Sequence, residues 1–281
     1  MKCRKLILFT LLLSAAVSRE GVITRPSALL AAERFSETDS VNRSTASQVF
    51  QSAIVDSVVE KLDRLYRSNS SMGKMSMTIV NPHWRRTLVM DFWSEGMEKT
   101  LIVVQNPEKE KGTASLKLEN EMWNYMPRIN KVIKIPPSMM MGSWMGSDFT
   151  NDDVVRESSF LTDYNYREIH PADADSNMIY IEFIPKEGVV SLWMKQIMVA
   201  GRDSKLPVEQ RYLDEKGRVM KKMLFGKVRV MDGKRIPVSM TMVPLSEEKE
   251  GHRTTIEYLE IDFNVELPED IFSLRSLKKR R

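Results

Sequence analysis

The apolar residues of this chain change their spacing at Lys74, and that change restricts the fold more than any other feature. Upstream, Phe50, Ile54, Val58, Leu62 and Leu65 recur at intervals of four and three, which gathers them on one face of a helix. The pattern predicts a helix over about 46–67, opened by Thr45 and Gln48 as a capping box and ended by Ser68 to Gly73. Downstream the period becomes two. Met75, Met77 and Ile79 alternate with Ser76 and Thr78, Leu88, Met90 and Phe92 with Thr87 and Asp91, Leu116 and Leu118 with Ser115 and Lys117, and Ile179, Ile181 and Phe183 with Glu182. Further runs occupy 192–199, 208–213, 219–225, 228–230, 238–243 and 255–263. Asn81-Pro82, Asp214 to Gly217 and Asp232-Gly233 supply turns between neighbouring runs, and Asp-Gly favours the positive φ values of a tight hairpin. About ten short strands linked this way, behind one long helix, describe a large antiparallel sheet. A sheet of that size curls, and an amphipathic helix can cover its open side.

The N-terminus bears on compartment. Lys2, Arg4 and Lys5 precede an apolar run from Leu6 to Val17, and Ala16-Val17-Ser18 has the small residues of a signal-peptidase site. A twelve-residue run falls short of the roughly twenty residues that span a bilayer. The expected organisation is a signal peptide at 1–18, an irregular leader at 19–44 and one domain at 45–281. Export to a periplasm-like space follows. Cys3, the only cysteine, precedes the apolar run, whereas a lipobox cysteine would follow it, so no lipid anchor is expected. Loss of 1–18 removes three positive charges and no negative ones, which lowers the formal charge from +4 to +1. No nucleic-acid partner is indicated at that charge. The Lys278 to Arg281 run reads as a solvated tail.

The segment "PPSMMMGSWMGSDFTNDD" (136–153) has neither period and reads as a loop, yet it carries Met139, Met140, Met141, Trp144, Met145 and Phe149. Thioethers suit Cu(I), but no His or Cys accompanies them. Asp148, Asp152 and Asp153 lack the calcium-loop pattern, and Thr150 with Asp153 reads as a capping pair opening a short helix through Val154 and Val155. His83, His170 and His252 have no catalytic-zinc spacing, and no nucleophile elbow, P-loop or dinucleotide fingerprint occurs. The expectation is a protein with no catalytic residue, metal or cofactor. Methionine accounts for 20 residues, and many fall on predicted strands: Met75, Met77, Met90, Met122, Met178, Met194, Met198, Met220, Met223, Met240 and Met242. Unbranched Met fills irregular space, so these positions mark either a loosely optimised core or a curved sheet around an apolar cavity.

The stretches "LYRSNSSMGKMSMTIV" (65–80), "EKGTASLKLENEMWNYMPRINKVIKIPPSMMMGSWMGSDFTNDDVV" (110–155), "KRIPVSM" (234–240) and "LPEDIFSLRSL" (267–277) resemble the outer-membrane lipoprotein-sorting protein family, relatives of the LolA and LolB periplasmic lipoprotein carriers. The resemblance implies an incomplete antiparallel β-barrel of about eleven strands with covering helices around an apolar cavity. It also implies a carrier that binds acylated lipoprotein or lipid for transfer towards the outer membrane, with transient membrane association. The other function considered is a non-enzymatic sensor or docking module partnering an inner-membrane transporter. The Met-rich loop is not part of the better-known carriers' pattern. Met139, Met140, Met141, Trp144, Met145 and Phe149 are therefore expected as ligand contacts on a lid from their own chemistry, the alternative being a plug of permanent core.

Overall fold

The computed structural model describes residues 53–155, 159–189 and 191–279. The signal sequence, the leader, the Thr45–Gln48 box and Phe50 lie outside the described residues. Helix α1 is helical over 53–64, and the next residues bend away at Leu65. Strands follow: β1 (Ser70–Val80), β2 (Arg85–Glu95), β3 (Lys99–Asn106), β4 (Ala114–Leu118), β5 (Glu121–Met126) and β6 (Lys131–Lys134). The Met-rich segment contains two 3-10 turns, Pro137–Met139 and Trp144–Gly146, and leads into the short helix α2 (Asn151–Val155). The second run is β7 (Tyr164–Ile169), β8 (Met178–Pro185), β9 (Lys195–Gly201), β10 (Pro207–Leu213), β11 (Val219–Met231), β12 (Lys234–Pro244) and β13 (Arg253–Phe263), with α3 (Ser276–Lys279) near the end.

All thirteen strands form one antiparallel sheet in the order β6-β5-β4-β3-β2-β1-β13-β12-β11-β10-β9-β8-β7. The first and last strands therefore meet in the middle, and β6 and β7, consecutive in sequence, are the two edges. The central β1–β13 pair runs from Ser71 opposite Phe263 to Val80 opposite Arg253, with a register shift after Lys74. Gly73 sits at that seam because a Cβ there would lie 2.1 Å from the Glu260 carbonyl oxygen.

The sheet has thirteen strands, not the eleven implied by the resemblance. Alternation missed β3, β5, β6 and β7 for physical reasons. In β3 the run Leu101 to Val104 is buried on both sides: Ile102 and Val104 join the main core, while Leu101 and Val103 pack with Ile271 and Leu277 of the C-terminal segment. A strand covered on both faces loses its alternation. Strand β5 is likewise apolar on both faces, with Met122 in the main core and Trp123 and Tyr125 packed with the C-terminal segment. Strands β6 and β7 are the edge strands, β6 being four residues long and largely exposed. Conversely, 219–225 and 228–230 form the single strand β11, interrupted only by Lys227 at φ +53. The covering helices are also fewer and shorter among the described residues: α1 is the only one longer than five residues.

Other local expectations hold. Asp232 and Gly233, at φ +43 and +76, turn β11 into β12. Asn81 Oδ1 accepts the His83 and Trp84 N–H groups in the β1–β2 turn. The Thr150 hydroxyl accepts the Asp153 N–H at 3.0 Å while the Asp153 carboxylate accepts the Thr150 N–H at 2.8 Å, a reciprocal cap on α2.

Cross-strand pairing fixes what faces inward. Ile181, Met198, Gln210, Met223, Met242, Thr254, Ile79 and Arg86 form one continuous row from β8 to β2. Two elements cover this face. Helix α1 lays Val55, Val58, Val59 and Leu62 against Ile179, Ile181, Phe183 and Met198. The buried stripe is broader than the spacing of Ile54, Val58 and Leu62 indicates, as is usual for a helix packed on a sheet. The Met-rich segment covers the other half. Trp144, 1% exposed, donates its indole N–H to Ser115 Oγ at 3.0 Å and packs with Phe149 in the core that contains Met77, Met90 and Met122. Arg86 donates to the Met145 carbonyl, and Thr254 Oγ1 receives the Asp148 N–H at 3.0 Å and donates to its carboxylate at 2.7 Å.

This burial gives Trp144 a packing role. Trp144→Ala is expected to lower unfolding free energy by about 3–5 kcal/mol, the range for emptying a large aromatic site. Urea denaturation followed by circular dichroism measures it. A loss below about 1 kcal/mol would mean that the segment is a superficial lid.

Candidate ligand cavity

The two covers leave a gap. Between α1 and β9 to β13 lies a cavity of about 370 Å³, within the ~300–1,000 Å³ range of small-molecule sites. Met198, Met223, Met240, Met242 and Phe225 line it from the sheet, Leu62, Leu65 and Tyr66 from α1 and the turn after it, and Phe149 from the Met-rich segment. The strand methionines thus do two jobs. Met75, Met77, Met90 and Met122 lie in the core away from the cavity, whereas Met198, Met223, Met240 and Met242 line it, Met198 and Met242 while also belonging to the buried core.

Of the six residues expected as ligand contacts, Phe149 alone lines the cavity. Trp144 is buried elsewhere in the core. Met140 and Met145 are partly buried against that core, and Met139 and Met141 are 56% and 53% exposed. The cavity wall on β9 to β12 was signalled by methionines alternating on strands, but alternation alone does not say which of them face a void. Trp193, Gln196, Gln210 and Tyr212 carried no signal at all.

The wall is not wholly apolar. Gln210 donates to Gln196 at 2.6 Å, and Gln196 donates to the Tyr164 hydroxyl at 3.0 Å. Beside them the buried Lys221 ammonium donates to both Asp153 oxygens, at 2.8 and 2.7 Å. It also lies 5.1 Å from the Trp193 ring centre and 4.9 Å from that of Tyr212. The ammonium thereby keeps ionic, hydrogen-bonding and cation–π partners in place of water. Burial raises the Tyr212 phenol well above its ordinary pKa, and the neighbouring Asp153 carboxylate pushes it further. It is a neutral phenol at physiological pH. The Asp153–Lys221 pair also ties α2, and with it the end of the Met-rich segment, to β11.

One side of the cavity borders a split in the sheet. Strands β12 and β13 pair only from Ser239 to Met242 opposite Glu257 to Thr254, and diverge on the Lys234 side. The turn after α1 fills the opening. Tyr66 donates to the Pro237 carbonyl at 2.7 Å, its ring centre lies 5.9 Å from that of Tyr258, and Lys234 donates to the Arg67 carbonyl at 2.7 Å. Burial lowers the Lys234 pKa, with Asp232 opposing the shift. Burial raises the Tyr66 phenol above its ordinary value, reinforced by Tyr258. Tyr66 and Tyr258 both line the cavity, so this wedge is part of its wall.

A family model described as an uncharacterized protein, of DUF1329 type, matches residues 96–279, well over half of the chain. The chain belongs to that family. Among solved structures, a DUF1329 family protein from Desulfovibrio piger superposes with a TM-score of 0.70 at 24% identity, covering 81% of this chain and 98% of that one. A protein domain from Vibrio parahaemolyticus, named for outer membrane lipoprotein sorting, gives 0.66 at 22% identity, with 81% and 97% covered. A LolA superfamily protein from Nitrosomonas europaea gives 0.64 at 19% identity, with 79% and 98% covered. No curated protein matches the chain. The fold of this DUF1329 member is thus the mainly β, open antiparallel sheet of LolA-like proteins.

The buried ion pair is testable. Asp153→Ala strands the Lys221 ammonium and is expected to cost about 3–5 kcal/mol, whereas Asp153→Leu with Lys221→Met is expected to recover most of that loss. Chemical denaturation of the two variants makes the comparison. Equal losses in both would show that the pair adds nothing as a pair.

Proposed function

We propose that this protein is a non-enzymatic periplasmic carrier that shelters an acyl chain of a lipoprotein or lipid on its way towards the outer membrane. The observation that carries the reading is the Met-lined cavity between α1 and β9 to β13 in a LolA-like sheet. The names of the solved neighbours, lipoprotein sorting and LolA superfamily, agree with it. Among the described residues no helix is long and apolar enough to cross a membrane, so anchoring by such a helix is not part of the proposal.

The energetics suit the role. Acyl burial is worth about 0.8 kcal/mol per methylene, so a sixteen-carbon chain resists entering water by roughly 12 kcal/mol. A carrier matches most of that with apolar lining and still has to release its load. Met side chains repack at little cost as a ligand enters or leaves, which keeps the exchange barrier low. The Tyr66 wedge at the β12–β13 split is the place where the wall is held by a few side-chain contacts rather than a strand ladder, and it is the proposed entrance.

Two measurements test the carrier reading. Solvent extraction and mass spectrometry of protein purified from its own envelope are expected to recover acylated peptide or lipid. Met240→Trp fills the cavity and is expected to weaken binding of a fluorescent fatty acid at least tenfold while the circular dichroism spectrum is kept. Protein that is consistently empty and binds no fatty acid, yet is retained by an inner-membrane transporter, would replace the carrier with a docking module.

A further inference from the structure

The exposed methionines of the Met-rich segment, Met139 and Met141, do not line the cavity, and their surroundings give them another use. Residues 126–141, "MPRINKVIKIPPSMMM", form the β5–β6 hairpin tip, the edge strand β6 and the first turn of the Met-rich segment. Five large apolar side chains in this stretch face solvent: Met126 (47% exposed), Ile129 (55%), Ile133 (41%), Met139 (56%) and Met141 (53%). Register puts Ile133 opposite Asn124 and Lys131 opposite Met126, so Met126, Lys131 and Ile133 share one face of the sheet edge. Met126, Arg128 and Ile129 also line a common surface groove with Lys109, whose carbonyl accepts a hydrogen bond from Arg128 at 3.1 Å, and with Glu110, whose carboxylate is held by Arg86.

The charge of the stretch is one-sided. It contains Arg128, Lys131 and Lys134 and no acidic residue. Lys134 is neutralised by Glu121 across the hairpin. Among the described residues, no carboxylate lies within ion-pair distance of Arg128, Lys131 or Lys109 (the salt-bridged acids nearby, Glu108 and Glu110, hold Lys111 and Arg86). Apolar side chains standing out from a protein surface beside unneutralised cations match a membrane boundary, where acyl tails accept the former and anionic headgroups the latter. A protein partner that adds a strand to β6 fits less well, because lysines at both ends of a four-residue edge discourage pairing.

We propose that residues 126–141 are a docking surface for an anionic lipid bilayer, entered by Ile129, Ile133, Met139 and Met141 and steered by Lys109, Arg128 and Lys131. It is separate from the cavity and independent of what the cavity holds.

The test is co-sedimentation of the full-length protein with phosphatidylcholine vesicles, with and without phosphatidylglycerol. Binding is expected on the anionic vesicles, with little on the neutral ones, and is expected to weaken between ~0.1 M and ~1 M salt as screening shortens from about 10 to 3 Å. Each cation near the surface is worth about fivefold, so Arg128→Glu with Lys131→Glu should weaken binding by at least tenfold. Met139→Ser with Met141→Ser should weaken it severalfold while leaving fluorescent fatty-acid binding unchanged. Equal binding to both vesicle types, no binding to either, or indifference to both variant pairs would overturn the proposal. The wild-type comparison needs no variant to fold, and fatty-acid binding measured in parallel keeps this outcome distinct from that of the carrier reading.

Discussion

The inner face of an open sheet has to be covered, and the rest of this structure follows from how that is done. Strands β1 and β13 pair at the centre, which leaves the sequence neighbours β6 and β7 at opposite edges. A sheet with an apolar face exposed to water would lose the burial that holds it together. The segment joining β6 to β7 must travel from one edge to the other in any case. Its path lies across the inner face, where Trp144 and Phe149 bury and where Arg86, Ser115 and Thr254 satisfy its polar groups. Two of the polar residues in that otherwise apolar row, Arg86 and Thr254, are attachment points of the segment.

The cavity is the consequence of two covers that do not quite meet. Helix α1 shields β7 to β9, and the crossing segment shields β1 to β5. Between them Met198, Met223, Met240 and Met242 have space in front of them, bounded by Tyr66 on one side and by the Asp153–Lys221 pair on the other. A stiffer set of β-branched side chains would be expected to collapse into a single packing. Thioether chains tolerate the gap being filled or empty.

Much of the fold was legible because hairpins are local. Asp232-Gly233, Asn81-Pro82 and Asp214 to Gly217 mark turns by chemistry that needs only neighbouring residues, and alternation located most strands. Strand β3 escaped because the C-terminal segment, more than 160 residues later, covers its second face. The site was less legible. The Met-rich segment drew attention as an apolar loop, but its six marked side chains have three fates: Trp144 and Phe149 are core, with Phe149 also reaching the cavity, Met140 and Met145 pack at the margin, and Met139 and Met141 face water. Composition could not separate them, because burial depends on what lies opposite.

What the sequence determined by itself is the local grammar: a helix, then a long series of hairpin-linked strands, with a capped turn of helix at Thr150 to Asp153. Those features rest on interactions between residues a few positions apart. The tertiary structure alone decided which methionines bound a void, where the sheet splits, and which residue neutralises Lys221. Each of those depends on contacts between segments remote in the chain, such as Asp153 with Lys221 or Tyr66 with Pro237. The periodicity of one strand carries no record of its partner across the core.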